Sequence, residues 1–157
     1  MDDIFNNVYV VLHNVHSASK VLETAQVVYG LGYQNYVVSK AEGSAAQSGV
    51  PDANRLAIKM KRNFMVLPDL PVVLETLCFD HVLLIPSPKL TKARVDPGRL
   101  LNRLRAGERT AIVLSGSTSS FSRKEMDLGE NSALEAEVDI GPSGTAAVIL
   151  HTLLHTE

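Results

Sequence analysis

The chain has no tryptophan, a single cysteine and only 5% aromatic residues among its 157. One cysteine, Cys78, excludes an internal disulfide framework and any metal site that needs several thiolates. It lies between Leu77 and Phe79 in an apolar run, so a buried structural thiol is expected. Few aromatics argue against a base-stacking platform of the kind that holds single strands. Neither charge sign dominates: 15 Lys and Arg face 17 Asp and Glu, a formal net charge of −2. That balance removes any global electrostatic argument for nucleic acid or an anionic membrane, though the two signs can still segregate onto different faces. No apolar run approaches the roughly 20 residues of a spanning helix. The opening "MDDIFNNVYV" is acidic and polar, unlike a secretory signal. A cytoplasmic protein without membrane contact is expected. No low-complexity linker or internal repeat interrupts the chain, so residues 1–157 read as a single domain.

What is present is an alternation of short β-branched runs with segments of helical period. "VYVVLHN" (Val8 to Asn14) is continuously apolar, as strands buried on both faces are. A helix from about Ser17 follows, with Val21, Ala25 and Val28 on one face and Gly30 or Gly32 at its end. "YQNYVVS", "FMVLP", "HVLLIPS" and "RTAIVLSG" read as further strands, and "LEAEVDI" as a sixth. Helices are expected from Pro51, over "DLPVVLETLC", over "DPGRLLNRLRAG" with Asp96 as cap and Pro97 at its first position, and over "SRKEMDLG". The Gly, Ser and Ala of "KAEGSAAQSGVPD" predict a long loop, in which Lys40, Ser44 and Gln47 could contact RNA or close a lid. The pattern implies an α/β fold with a mostly parallel six-stranded sheet and helices on both faces.

Ligands of such sheets bind at the carboxyl ends of the strands. Three small-residue loops fall there: Ile85 to Lys89 after the fourth strand, Leu114 to Ser120 after the fifth, and Ile140 to Thr145 after the sixth. Taken singly, each is an ordinary turn. Together they point to one cleft in which exposed backbone groups recognise the ligand. No G-x-x-x-x-G-K-[ST] occurs, and no G-x-G-x-x-G follows the first strand, which disfavours a nucleoside triphosphate. "GPSGT" approaches the G-x-S-x-G of esterases but has threonine in fifth place. Its nearby His151 and His155 lie along the same helix, so no triad is expected.

In the order of these loops the chain resembles a SPOUT-class (SpoU-like) RNA methyltransferase domain. "VVLHNVHSASKVLETAQVVYGLGY" is similar to the first motif of that family, "AIVLSGSTSSFS" to the second and "VDIGPSGTAAVILHTLL" to the third. The three span nearly the whole chain. More narrowly, it resembles an archaeal group of stand-alone SpoU-like proteins, some of which carry the label RecB-family nuclease. The resemblance implies a C-terminal trefoil knot, a homodimer, S-adenosylmethionine as cofactor, and ribosomal or transfer RNA as partner. It assigns cofactor contacts to Ile85, Pro86, Ser87, Leu114, Ser115, Gly116, Ser117, Ile140, Gly141, Pro142, Ser143, Gly144 and Ala146. Glu23 stands where the family carries a catalytic arginine, Ser17 where it carries an asparagine, and the asparagine of the third motif falls near Pro142.

Methyl transfer needs a nucleophile in line and sometimes a base. His13, Asn14, His16, Ser17 and Glu23 are the catalytic candidates beside the first strand, with His13 and His16 as bases. Two basic stripes bear on RNA: Arg55, Lys59 and Arg62, and a second cluster of Lys89, Lys92, Arg94, Arg99, Arg103 and Arg105, opposed along the sequence only by Asp96. The leading reading is an S-adenosylmethionine-dependent RNA methyltransferase. Its rivals are a catalytically silent RNA- or ligand-binding relative, and a nuclease. The last needs carboxylates converging on a metal, and Asp127, Glu130, Glu135, Glu137 and Asp139 show no such spacing; no metal is expected.

Overall fold

The computed structural model describes residues 2–157. Its elements run β1 (Val8–Val15), α1 (Ala18–Gly30), β2 (Asn35–Ala41), α2 (Val50–Met60), β3 (Asn63–Leu67), α3 (Leu70–Leu77), β4 (His81–Ile85), α4 (Pro97–Arg105), β5 (Thr110–Ser115), α5 (Arg123–Met126), β6 (Glu130–Asn131) and α6 (Pro142–Leu154). The strands form one sheet in the order β3-β2-β1-β5-β4-β6, and every pairing is parallel. The expected α/β architecture with a six-stranded parallel sheet is therefore what the chain adopts.

The two central strands explain their own composition. On β1 and β5, Val10, Leu12, Ile112 and Leu114 pack with α1, α4 and α6, while Val11, Ala111 and Val113 pack with Leu70 and Val73 of α3 and with Phe121. Both faces are covered, so neither strand alternates. Val21, Ala25 and Val28 of α1 are fully buried, as their spacing predicted. Caps set several helix starts. Asp96 accepts from the Arg99 N–H at the head of α4, and Asp69 accepts from Leu70 N–H at the head of α3. Ser122 and Glu125 complete a reciprocal capping box around α5.

Three expectations are corrected. The sixth strand is not "LEAEVDI": the slot beside β4 is taken by Glu130 and Asn131, and an isolated bridge joins Ala133 to Arg94. Val138 and Ile140 of the expected strand are left 54% and 47% exposed, without a strand partner. The "KAEGSAAQSGVPD" loop is mostly a wide helical turn (Ala45–Gly49) that runs into α2. Its small residues serve close packing, since a Cβ on Gly49 would come within 3.0 Å of the Ala18 backbone. Cys78 is exposed, not buried: it terminates α3 in a left-handed conformation that points its thiol outward. No helix among the described residues is long and apolar enough to cross a membrane.

Candidate functional site

The strand order reverses direction between β1 and β5, which is where open parallel sheets hold ligands. At that point His13 stands opposite Ser39 of β2 on one side and Ser115 of β5 on the other. Gly116 closes the junction, its N–H donating to the His13 carbonyl at 2.8 Å. A Cβ on Gly116 would fall 2.6 Å from Val15 Cβ and 2.8 Å from the Asn14 carbonyl oxygen, so only glycine fits. Two clefts open here, one on each face of the sheet.

The first is the C-terminal corner. Lys20, Ser115, Ser117, Thr118, Asp139, Gly141 and Pro142 line about 270 Å³, and Ile85, Leu114 and Thr145 adjoin it. Gly141 has φ +86° and ψ 166°, a conformation open essentially to glycine alone, and a Cβ there would meet nothing within 4 Å. No side chain covers its Cα, and its carbonyl accepts from Thr145 N–H at 3.0 Å. Its N–H donates to Asp139 Oδ1 at 2.8 Å, and Lys20 Nζ donates to the Gly116 carbonyl at 3.0 Å. Pro142 at the first helical position then starts α6. Of the residues assigned by resemblance, Ile85, Leu114, Ser115, Ser117, Gly141 and Pro142 meet at this corner, and Gly116 offers its carbonyl beside it. Pro86 is buried, Ser87 N–H donates to Ser120 Oγ, and Ala146 belongs to the core. Ile140 covers Gly144, whose absent Cβ would lie 3.4 Å from Ile140 Cδ1. Ser143 lies in the first turn of α6 and does not line the cavity. Thr118 belongs to the loop expected after the fifth strand, whereas Lys20 and Asp139 were not assigned to this corner, because nothing local shows that they face the same space.

The second cleft, about 470 Å³, opens on the α3 and α5 side. His13 does not line it but lies almost wholly buried behind Glu125, which does. Its Nδ1 hydrogen-bonds Ser39 Oγ at 2.8 Å, its Nε2 meets Glu125 Oε2, and Asp69 Oδ1 is 3.9 Å from Nε2. Partial burial opposes the charge on Glu125. The Ser122 N–H and the His13 ring outweigh that opposition and hold its carboxyl below the usual glutamate range. The walls carry Asn14, Lys40 and Lys124, the hydroxyls of Ser119, Ser120 and Ser122, and apolar surface from Pro71, Phe121 and Leu128. Three of these, Asn14, Lys40 and Ser120, are non-glycine residues with φ of +60°, +51° and +62°. Each such conformation costs about 1 kcal/mol or more. His13, Asn14 and Lys40 were sequence candidates, but nothing in the sequence shows Glu125 reaching a histidine 112 positions away.

The other sequence candidates stand apart. His16 is exposed, its carbonyl accepting from Ala45 N–H at 3.1 Å and Ser44 Oγ at 3.0 Å. Ser17 Oγ bonds Ser19 Oγ at 2.8 Å, and Glu23 is exposed on α1; none of the three lines either cleft. Lys89 and Lys92 are exposed. Three of the four arginines that follow them are paired: Arg94 with Glu135 at 3.7 Å, Arg99 with Glu130, and Arg103 with Glu108 at 2.6 Å, while Arg105 is exposed. Asp96 is thus not their only counter-charge. Among the described residues no group of three His, Cys, Asp or Glu side chains is placed to hold a metal ion. A third hollow, apolar and about 560 Å³, runs between α1 and α6 along Val27, Leu31, Ala147, Val148 and His151.

Residues 43–152 match the family described as RecB-family nuclease (DUF2122). A candidate type II restriction enzyme of Aeropyrum pernix is 39% identical over 92% of this chain and 90% of its own length. Another from Methanocaldococcus jannaschii is 30% identical over 92% of this chain and 94% of its own. Among solved structures, a methylase family protein from Neisseria gonorrhoeae superimposes with a TM-score of 0.77 at 13% identity, covering 99% of this chain and 85% of that one. The TrmH/SpoU tRNA modifying enzyme of A. aeolicus gives 0.65 at 13% identity, over 98% of this chain and 78% of that one. The SpoU methyltransferase AviRb of Streptomyces viridochromogenes, solved with AdoMet, gives 0.66 at 13% identity, over 93% of this chain and 58% of that one. At such identities the likeness speaks for the fold alone. The chain belongs to the RecB-family nuclease (DUF2122) family and has the α/β fold of the SpoU-type methyltransferases.

Proposed function

We propose that this chain is a single-domain SPOUT protein that binds S-adenosylmethionine at the Gly141 corner and methylates RNA as a homodimer, with α6 threaded in the knotted manner of the SPOUT class. The observation that carries the reading is Gly141 itself. Its conformation is closed to side chains and a Cβ would touch nothing within 4 Å, so an adenosine or amino-acid group can approach the main chain of this corner closely, although the Gly141 N–H and carbonyl are themselves engaged by Asp139 and Thr145. The surrounding groups fit the cofactor. Hydroxyls of Ser115, Ser117 and Thr118 surround the cavity, and Asp139 keeps one carboxylate oxygen free of the Gly141 N–H for a cationic ligand. Lys20 is held on the Gly116 carbonyl at the rim. When bound, S-adenosylmethionine supplies an activated methyl group. The chain's part is to orient it and to exclude water. Val27, Leu31 and Val148 of the hollow between α1 and α6 favour the dimer, because they leave apolar surface for a second copy to cover.

Calorimetric titration with S-adenosylmethionine, with ATP as control, tests the reading. Saturable micromolar binding of the methyl donor alone is expected. Asp139→Asn keeps the acceptor for Gly141 N–H, removes the charge, and should weaken binding about tenfold. No binding at millimolar donor refutes the assignment. A second reading, cleavage of nucleic acid, is favoured by the names of the two relatives. Metal-dependent cleavage abolished by a chelator would replace methyl transfer with that activity.

A further inference from the structure

The cleft on the α3 and α5 side has no part in the proposed methyl-donor site, yet it concentrates the strain of the molecule. Five non-glycine residues have positive φ. Lys61 and Cys78 do so as C-caps of α2 and α3, where a left-handed residue ends a helix. The remaining three, Asn14 and Lys40 next to last in β1 and β2 and Ser120 beyond β5, all line this one cleft. Strain that does not end a helix and converges from three segments is characteristic of a binding site.

The chemistry of the occupant follows from which groups are already engaged. Glu125 is engaged by the Ser122 N–H at 2.8 Å and by the ring of the buried His13, and Asp69 caps α3 through Oδ1, leaving its second oxygen without a partner among the described residues. The ammonium groups of Lys40 and Lys124 make no hydrogen bond or ion pair among the described residues, and the Asn14 side chain makes none either. The unengaged groups are thus two cations, one amide and one oxygen of Asp69, a set in which donors predominate and which suits an anion with further polar edges. Phosphate oxygens suit paired ammonium groups. Pro71, Phe121 and Leu128 supply an apolar wall, which a bare inorganic anion does not need. The volume of about 470 Å³ falls in the range of small-molecule sites.

We propose that this cleft is a second ligand site, built for a phosphorylated nucleoside held by Lys40, Lys124 and Asn14 against the Pro71 and Leu128 wall. It is distinct from the Gly141 corner, from which the Asn14 to Gly116 junction separates it, and it does not depend on the methyl donor. His13 is a positioning residue here: buried between Ser39 and Glu125, it holds α5 and hence Lys124 against the sheet. The occupant is either a free mononucleotide or a 5′-phosphorylated nucleotide of a strand.

The test is calorimetry on the full chain with four probes: the nucleoside 5′-monophosphates, the matching nucleosides, inorganic phosphate, and a short single-stranded RNA with a 5′-phosphate. Lys40→Gly removes the ammonium and relieves the positive φ, Lys124→Ala alters an exposed position, and circular dichroism verifies their folding. Saturable binding of a monophosphate that weakens about tenfold in each lysine variant, and persists in Asp139→Asn, is the expected result. Binding of the RNA at least tenfold tighter than the mononucleotide would identify a strand as the source; comparable binding would identify the free nucleotide. The proposal is overturned if no nucleotide binds at millimolar concentration, if the lysine variants bind as the parent does, or if Asp139→Asn alone abolishes binding. Nucleosides binding as tightly as their phosphates would overturn the phosphate assignment, and inorganic phosphate doing so would overturn the nucleoside assignment.

Discussion

Replacing Glu125 with alanine removes two interactions at once, and the structure allows their sum to be worked out. Glu125 Oε1 accepts the Ser122 N–H at 2.8 Å and closes the capping box of α5. Loss of that half of the box amounts to about 0.5–1 kcal/mol. Oε2 is the partner of His13 Nε2, and the ring is 99% shielded from solvent. A buried ring nitrogen left unpaired costs about 1–3 kcal/mol. The vacated volume opens into the cleft, so water can enter and satisfy part of that loss, which favours the lower end. The expected destabilisation is therefore about 2 kcal/mol, measured as a lower urea midpoint with unchanged m-value. Glu125→Gln retains the capping acceptor and a hydrogen-bonding partner, and should lose about 1 kcal/mol. The pH dependence has a definite sign. The Glu125 carboxyl is held below its ordinary range in the fold, so its contribution is complete above the unfolded pKa and disappears as pH falls through the folded value. The gap between the parent and Glu125→Ala should be full at neutral pH and close below about pH 4. An alanine variant within 0.5 kcal/mol of the parent at neutral pH, or a gap that widens on acidification, would refute this account of the cleft.

Gly116→Ala should destabilise by about 2–3 kcal/mol in the same assay, because the added methyl meets backbone atoms of Asn14 and Val15 at 2.8 Å that cannot rotate away; a neutral effect would mean that β1 and β5 separate freely there. Tyr33→Phe should lose about 1 kcal/mol, since the Tyr33 hydroxyl donates to the Leu150 carbonyl at 2.8 Å and ties α6 to the start of β2. Burial pushes the same hydroxyl well above the usual tyrosine range, so the parent should show no Tyr33 ionisation by ultraviolet titration up to about pH 11. Val148→Glu places a charge in the hollow between α1 and α6, and light scattering should show that it breaks the dimer proposed for the parent into monomers.

Much of the architecture could be read from periodicity. Continuous apolar runs marked β1 and β5 because those strands are covered on both faces, and Asp96 with Pro97 marked the head of α4 because a cap acts through its own next turn. Short-range physics acts on neighbours in sequence, so the sequence carries it. The errors share one cause. The alternation in "LEAEVDI" was a sound strand signal, but a strand needs a partner, and Glu130 and Asn131 already occupy the edge of β4. The small residues before α2 signalled a loop, whereas their smallness lets that turn lie against Ala18.

The candidate sites divide along the same line. Gly141, Pro142 and the loops after β4 and β5 were legible because a strand end or a helix start declares itself locally. Lys20 and Asp139 join them only because α1 and the last loop are packed against the same strand ends. His13 stood out as a histidine in an apolar strand, but its role was set by Ser39 on the neighbouring strand and by Glu125 far along the chain. The basic cluster after β4 lost much of its charge in the same way, to Glu108, Glu130 and Glu135. By itself the sequence determined the elements, their order and the loops fit to approach a ligand. Tertiary structure alone decided which loops share a cleft, which charges remain free and which strands find partners, because those depend on distances between residues that only the packed sheet brings together.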